Sequence, residues 1–540
     1  MKTNTFYKYT YIAIVIFYCI VLSQFGMETW DTGYISSFSW RIVNGQNIYE
    51  DFLYKFPPVT IYLHAFFMKI LPDTGQFFYF RIIAYLSHAL QVYLFVSGIY
   101  LIYDIKKINK WALMIVCFMI SWMNFSPYPW PTTDGIFFAS IAFWITAKSK
   151  SNNFTLLFLV ALCSLLSALS KQSFYLVPFL FLLWFYLKFG LKSALLYFSV
   201  LFLLFVLFVL IILSITSWAN FSKQLNGELR LLDLYNVGFH NYVFLPIRHL
   251  LGVLFLGFSS LFFYLKKTNK KMIYLAPHLV KISLLLIVTS ILFFLLNKSW
   301  TASFLAFDAA FIGVLYSFFV IKKTYLQLYP AVLLLVLAWS VSISLGYPAP
   351  LLFGTGIILS LVALLENEIK LKQKYYFLIG LAMCLFAFAS NKYPYRENSV
   401  FELKYSLENI SPKLKFIKTN KGTFEKHEEL KQLITKYGGN FIVSPNMPMS
   451  NYLFNEQSQL PTDWLIETEV NRQMAKIINL CADKKNFIFI EKSFANGEDY
   501  GNETITTSSM AWFVYKKFNK IEETKYFIIY NQIKTNEKLP

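Results

Sequence analysis

Two polar side chains near the start of the chain have the types needed for chemistry at the surface of a membrane. Asp31 comes directly after the first apolar stretch, and Lys55 precedes Phe56-Pro57-Pro58. A carboxylate in this position suits work as a general base. Because the prolines stiffen the backbone, Lys55 stands on a rigid turn and is able to bind a lipid phosphate as a point charge. The plainer alternatives are a boundary acid for Asp31 and a lysine that snorkels to the headgroups for Lys55.

A second pair of polar positions lies at the ends of later apolar stretches. Asp134 follows a proline-rich loop and opens the fourth apolar span. An acid near a helix N-terminus is electrostatically favourable, so Asp134 is either a helix cap or part of a site. Lys171-Gln172 lies between two apolar spans, where it forms either a simple turn or a cationic group that meets a phosphate.

Four further residues complete the set of candidates. Arg81 lies near the predicted outer start of the second span, and Asp308 lies inside the tenth. Ionisable residues within spans are costly and usually have a partner or a role, so Asp308 either pairs with a basic neighbour or supports the site. Tyr34 and Tyr54 belong to the same early polar segment as Asp31 and are predicted to support it. The sequence shows no metal-ligand constellation.

The composition indicates a membrane protein with many spans. Hydrophobic residues make up 56% of the 540 residues and aromatic residues 19%, which is more apolar surface than a water-soluble globular protein needs. The formal charge of +19 fits basic cytoplasmic loops and anionic lipid headgroups better than a nucleic-acid partner. Four of the five cysteines, all but Cys481, lie in apolar spans, so neither a disulfide framework nor zinc-type spacing is present.

Thirteen apolar spans are predicted, and the loops between them indicate an orientation. The predicted spans are 9–25, 78–102, 110–124, 134–147, 154–170, 174–188, 193–217, 249–265, 282–297, 303–321, 325–345, 350–366 and 374–390. Basic residues follow every even-numbered span, so these exits are predicted to be cytoplasmic. The N-terminus is then inside, on an uncleaved signal anchor, and residues 391–540 are outside. This topology brings four candidates to the outer face: Asp31, Lys55, Asp134 and Lys171.

Two regions outside the spans are predicted to position these residues. In residues 34–43 apolar side chains recur at helical spacing, and Asn44-Gly45 is a good helix stop. This amphipathic helix is predicted to lie along the headgroup boundary, within an outer loop of residues 26–77. The polar residues 391–540 are predicted to form a small α/β domain. Its predicted strands are 440–444, 486–490, 511–515 and 525–530, and its predicted helices are 424–437 and 469–482.

These features resemble the GT-C superfamily of integral-membrane glycosyltransferases, in particular the bacterial branch related to protein O-mannosyltransferases and to the aminoarabinose transferase of lipid A. The resemblance covers residues 1–190 and is only topological beyond them. Two departures stand out: the family often has Asp-Glu in the first loop, and the aminoarabinose transferases have lysine directly before the prolines. The residues that carry the resemblance are Asp31, the run Gly45, Tyr49, Glu50, Asp51, Phe52, Pro57 and Pro58, then Thr133, Asp134, Gly135, Lys171 and Gln172.

The resemblance implies a fold and a reaction. The fold is an α-helical polytopic membrane protein, with a transmembrane domain of residues 1–390 and an extracytoplasmic α/β domain of residues 391–540. The reaction moves a sugar from a polyprenyl phosphate to a hydroxyl of a lipid, glycan or protein, with inversion, at the outer face of the bacterial cytoplasmic membrane. No cofactor is required by the sequence, metal dependence stays open, and no nucleic-acid partner is implied.

The resemblance also implies a role for each candidate residue. Asp31 would take the acceptor proton. Lys55, with Lys171 or Arg81, would stabilise the departing lipid phosphate. Asp134 would orient the acceptor or Asp31.

Two other functions are weighed against this reading. An O-antigen polymerase or ligase also has many spans, but such enzymes rely on arginine-rich outer loops, which are sparse here. A lipid or glycan transporter would show an inverted repeat and charges at mid-membrane depth. The sequence shows no repeat, and Asp308 is its clearest acid within a span.

Overall fold

The structure is a computed structural model, and the elements among its described residues up to Ser390 are helices. It describes residues 2–121, 127–151, 153–225, 231–240, 323–343, 355–366, 372–458, 460–466, 469–470, 473–483, 486–492 and 509–534, with isolated positions between 307 and 318. Helices are numbered here along the described residues. They are α1 Lys2–Ile20, α2 Asp31–Val43, α3 Val59–Ile70, α4 Gln76–Ile102, α5 Lys110–Ser121, α6 Pro131–Lys148, α7 Phe154–Ala168, α8 Val177–Phe189, α9 Leu191–Ile215, α10 Trp218–Leu225, α11 Leu231–Phe239, α12 Tyr325–Ser342, α13 Thr355–Leu365 and α14 Gln373–Ser390.

Every predicted span that falls on described residues overlaps one of these helices, and the bounds differ most for 9–25, which corresponds to α1 at Lys2–Ile20. The predicted spans 249–265 and 282–297 lie outside the described residues, as does most of 303–321 with Asp308. Five helical segments are long and apolar enough to cross a membrane: Asn4–Gln24, Gln76–Ile102, Gln172–Phe189, Leu191–Ile215 and Tyr325–Ser342.

The helices pack into a bundle around α4. This helix lies against α1, α5 and α6, and about two thirds of its most apolar stretch is buried. By contrast, α9 exposes a row of large apolar side chains, among them Phe202, Leu203 and Leu210. A surface of this kind is unfavourable in water but suits contact with lipid chains, so the bundle has the character of a membrane protein.

The amphipathic helix forms as predicted, but its surroundings differ from the prediction. α2 ends at Val43, and Gly45 has the left-handed φ of +84° that favours glycine after a helix. Nearly all of α2 is buried against other parts of the protein, and its predicted location along the headgroup boundary stays a prediction. It packs against α3 on one side and against residues of the C-terminal third on the other. The polar face that was expected to meet water meets buried partners instead.

The C-terminal third contains a four-stranded mixed sheet with helices. Its strands are β1 Tyr405–Ser406, β2 Lys418–Thr419, β3 Phe441–Ser444, β4 Phe487–Glu491, β5 Phe518–Glu523 and β6 Phe527–Ile533, and its helices are α15 Lys421–Tyr437, α16 Ser450–Phe454, α17 Met474–Asp483 and α18 Ser509–Lys517. The sheet order is β3-β4-β6-β5, with β3 and β4 parallel and the other pairs antiparallel. β1 and β2 form a separate pair.

One predicted strand of this region is wrong. Residues 511–515 lie in helix α18, and the edge strand β5 follows directly. The run is short and apolar throughout, a pattern that does not separate a strand from a buried helix. Burial separates them, because Met510, Ala511, Phe513 and Val514 are buried whereas Trp512 and Tyr515 are exposed, which is helical spacing.

A buried ion pair fastens α2 to the C-terminal third. Arg41 Nε lies 2.8 Å from Asp463 Oδ2, and each side chain is 3% exposed. Asp463→Asn is expected to destabilise the protein by about 3 kcal/mol, because it leaves a buried guanidinium without its counter-ion. Thermal unfolding in detergent measures this. Glu522→Gln, in the exposed pair with Lys436, is the control and should cost at most about 0.5 kcal/mol. If Asp463→Asn costs no more than this control, the Arg41–Asp463 pair does not stabilise the fold.

Candidate active site

The N-terminus of α2 holds two carboxylates side by side. Glu28 caps the helix, since its side chain accepts the backbone N–H groups of Trp30 at 2.8 Å and Thr32 at 3.2 Å. Asp31 is half-buried, and its Oδ2 accepts the hydroxyl of Tyr395 at 2.8 Å. Burial and, secondarily, the charge of Asp31 raise the pKa of Glu28 to about 7. The residue after Asp31 is Thr32 and not a second acid, but Glu28, three residues before Asp31, places a second carboxylate at this helix end.

The C-terminal third covers this corner. Arg396 lies with its guanidinium 4.4 Å from the centre of the Trp30 ring and 3.8 Å from Glu28 Oε1. Its neighbour Tyr395 is the hydroxyl donor to Asp31. Asp31 is thus oriented by a group about 360 residues away in the chain, a contact that no local pattern predicts.

Lys55 forms an ion pair with Glu469, also from the C-terminal third. The Lys55 side chain is 22% exposed and that of Glu469 is 5% exposed. The backbone carbonyl of Lys55 accepts the side-chain amide of Gln172, so two predicted site residues from distant segments do come together. The turn before the prolines is therefore held from both sides.

Lys171 is buried next to Lys55. Its Nζ donates to Thr132 Oγ1 at 3.0 Å and to the carbonyl oxygen of Ile343 at 2.9 Å. Burial first, and then the positive charge of Lys55, lower the pKa of Lys171 to about 7. A site with two lysines and a depressed lysine pKa favours the arrival of an anion.

The two predicted supporting tyrosines lie in the same corner. Tyr34 and Tyr54 stack with their ring centres 5.9 Å apart, and both are buried. Burial, and next the charge of Glu469, raise the pKa of Tyr34 well above its usual value. The Tyr54 hydroxyl has no hydrogen-bond partner within the part of the chain that the structure describes. These rings form the apolar wall behind Lys55 and Glu469.

Asp134 has a different neighbour from the one predicted. It lies in the first turn of α6, and its Oδ2 is 2.9 Å from Nε2 of His64 in α3. The cavity beside this pair has a volume of about 10 Å³, about the space of a single water. The structure therefore places His64, and not Asp31, against the Asp134 carboxylate, and the alternative that Asp134 orients the acceptor stays a prediction.

Arg81 is also placed differently from the prediction. Its guanidinium donates to the carbonyl oxygens of Ser23 and Phe25 at 3.0 Å and of Gly26 at 2.7 Å, and it stacks on Phe77. A buried cation with three carbonyl partners holds the chain where it leaves α1. Arg81 is thus a structural anchor for the first loop and is not available to a phosphate.

Sequence reasoning missed several residues of this corner. Glu469, Tyr395 and His64 contact predicted site residues, and Arg396 contacts Glu28 beside Asp31. Glu469 fell at the first position of the predicted helix 469–482, and only its position directly before an apolar residue hinted at burial. Among the described residues, no group of three or more histidine, cysteine, aspartate or glutamate side chains is arranged to hold a metal ion.

Comparison with solved structures yields matches of low sequence identity. The chain is similar to ArnT from Cupriavidus metallidurans. The ArnT structure bound to undecaprenyl phosphate matches over 98% of this chain and 99% of that one, at 11% identity and a TM-score of 0.42. The apo structure of the same protein matches over 98% of both chains, at the same identity and TM-score. No family model and no curated protein sequence matches. A likeness this distant carries no argument about the reaction.

Proposed function

We propose that this protein is a membrane glycosyltransferase that moves a sugar from a polyprenyl-phosphate donor to an acceptor hydroxyl, with inversion, at the outer face of the membrane. The observation that carries the proposal is the pairing of two cations with an apolar groove. The side-chain amide of Gln172, the residue after Lys171, donates to the backbone carbonyl of Lys55, and Gln172 and Pro57 both line the groove. A polyprenyl phosphate has the same two parts, an apolar chain and a charged head.

The groove has the size and lining that a long apolar chain requires. It has a volume of about 500 Å³ and lies between α7, α8, α9 and α10. Most of its surface is aromatic or aliphatic, and its few polar side chains include Gln172 near Lys55. Its apolar lining includes Leu165, Leu169, Phe179, Phe198, Leu201, Phe202, Phe205, Phe208 and Phe221.

Lys55 and Lys171 are the groups that would stabilise the leaving phosphate. As the glycosidic bond breaks, negative charge grows on the lipid phosphate, and a positive group aimed at that position lowers the barrier. Lys171 is the more responsive of the two lysines, because its pKa is depressed and a nearby phosphate would restore its proton. Lys55 would supply the second charge.

Asp31 is the proposed base. In a single displacement, a carboxylate takes the proton of the acceptor hydroxyl as that oxygen attacks the anomeric carbon. Tyr395 occupies one of the two carboxylate oxygens of Asp31 and fixes its orientation. The acceptor is a lipid, glycan or protein that approaches at the outer face.

A purified-enzyme assay tests the function directly. The protein is incubated with undecaprenyl phosphate carrying a radiolabelled sugar, and with cell-envelope extract as acceptor. Transfer of label into an acceptor, with release of undecaprenyl phosphate, is the expected result. Envelope glycans and glycoproteins of a deletion strain should lack one sugar that the parent carries. An identical glycan profile, together with no transfer in the assay, would overturn the proposal.

The proposed topology makes a separate prediction. Basic residues follow α6, so a reporter fused after Lys150 should be cytoplasmic, whereas one fused after residue 400 should be extracytoplasmic. Paired alkaline phosphatase and green fluorescent protein fusions at both positions measure this. If the fusion after residue 400 is fluorescent and lacks phosphatase activity, the site faces the cytoplasm and the outer-face reaction is wrong.

A further inference from the structure

The ammonium group of Lys55 already has an anionic partner. Glu469 pairs with it across 414 residues of chain, and the glutamate side chain is only 5% exposed. The pair lies at the turn whose backbone is bonded to Gln172, beside the mouth of the apolar groove. Any phosphate that is to contact Lys55 has to compete with this carboxylate.

Glu469 is incompletely satisfied in this position. Its Oε2 is buried and has no hydrogen-bond partner among the residues that the structure describes. Burial raises the pKa of Glu469, Lys55 and the Tyr34 hydroxyl oppose this by favouring the carboxylate, and the charge of Asp31 adds to the effect of burial. Taking an ion into a buried site is costly unless all its oxygens are matched, so one ion pair compensates for this burial only in part.

We propose that Glu469 is a positioning residue that holds Lys55 in the empty donor site and is exchanged for the phosphate of the donor lipid. This inference rests on the proposed function. The phosphate diester of the donor has two charged non-bridging oxygens and would be stabilised by both Lys55 and Lys171, whereas Glu469 pairs with Lys55. When the lipid phosphate leaves after transfer, Glu469 returns to Lys55 and favours release of the product.

The exchange predicts an increase in affinity when the competing charge is removed. Glu469→Gln keeps the size of the side chain but removes its negative charge. We expect the variant to bind undecaprenyl phosphate about tenfold more tightly than the wild type, since the lysine no longer has to leave a partner. Turnover should fall and KM should fall with it, because product release becomes slower. Titration of the full-length protein in detergent with undecaprenyl phosphate gives the affinity.

The chain offers a closely matched control. Glu491 is also a C-terminal glutamate paired with a lysine, with side-chain exposures of 1% and 23% for Glu491 and Lys426. Glu491→Gln should lower the melting temperature and leave the lipid affinity within twofold. Equal or weaker lipid binding by Glu469→Gln, with a melting temperature like that of the wild type, would overturn the exchange.

A second measurement uses the wild-type protein and does not depend on folding of a variant. A hydrophobic carbodiimide joins adjacent lysine and carboxylate side chains, and mass spectrometry then detects a peptide in which Lys55 is linked to Glu469. Saturating undecaprenyl phosphate should reduce the yield at least fivefold. An unchanged yield with the lipid bound would overturn the exchange while leaving the glycosyltransferase proposal intact. Failure of the wild type to bind the lipid at all would remove both.

Discussion

Replacing Asp31 with asparagine is expected to lower turnover by about two orders of magnitude or more, the usual scale for loss of a general base. Asparagine keeps the size of the side chain, and its carbonyl oxygen still accepts the Tyr395 hydroxyl. Glu28 still caps α2, so the fold should be retained. Initial rates of sugar transfer, measured beside the melting temperature of each purified protein, separate lost chemistry from lost structure.

Two control variants sharpen this test. Asp51 lies in the same loop, is exposed, and accepts the backbone N–H of Asn47, so Asp51→Asn should leave turnover within about threefold. Tyr395→Phe removes the group that orients Asp31 and should cost an intermediate amount, about tenfold. Near-normal turnover of the Asp31 variant would remove this carboxylate from the mechanism.

Replacing Lys171 with methionine should abolish the pH dependence of donor binding as well as lower turnover, by about a hundredfold. Burial and Lys55 hold the pKa of Lys171 near 7 in the free protein. Below pH 7 the lysine is already charged, so the donor binds without taking up a proton. Above pH 7 the free protein has lost that proton and binding must restore it, so affinity should fall about tenfold per pH unit.

The donor itself is the correct probe for this measurement. Its phosphate is a diester without an ionisation near pH 7, whereas the product phosphate titrates near pH 6. Affinities between pH 6.5 and 8.5 should follow the predicted slope in the wild type and in Lys69→Met, a variant at an exposed lysine of α3. In Lys171→Met the affinity should be low and flat. A flat wild-type profile would mean that Lys171 does not meet the phosphate.

The helices and part of the site could be predicted from the sequence because their causes are local. Long apolar runs predict spans whatever their neighbours, and helical spacing with Asn44-Gly45 was enough to predict α2. Lys55 and Gln172 were predicted for one site, and their contact follows from helices that end at the same face. The catalytic roles of Asp31, Lys55 and Lys171 stay predictions.

The remaining features depend on partners that are far away in the chain. The burial of α2 follows from residues near 450–465, which no pattern in residues 34–43 indicates. Asp134 was predicted to orient the acceptor or Asp31 because Asp134 and Asp31 were expected at the outer face. The structure places the Asp134 carboxylate against His64. Arg81 was predicted to bind a phosphate because the sequence gives no sign of its actual partners. These are three backbone carbonyls in the irregular segment after α1.

The buried contacts of α2 also determine how late in synthesis this helix can complete its packing. Asp463 leaves the ribosome 422 residues after Arg41, and Asn446, whose carbonyl accepts the Thr29 hydroxyl, follows that threonine by 417. At 5–20 residues per second this delay is about 20 to 80 s. During that time α2 can pack against α3, but the partners of Arg41 and Thr29 have not yet been made. A chain that ends before residue 446 therefore lacks both of these buried contacts.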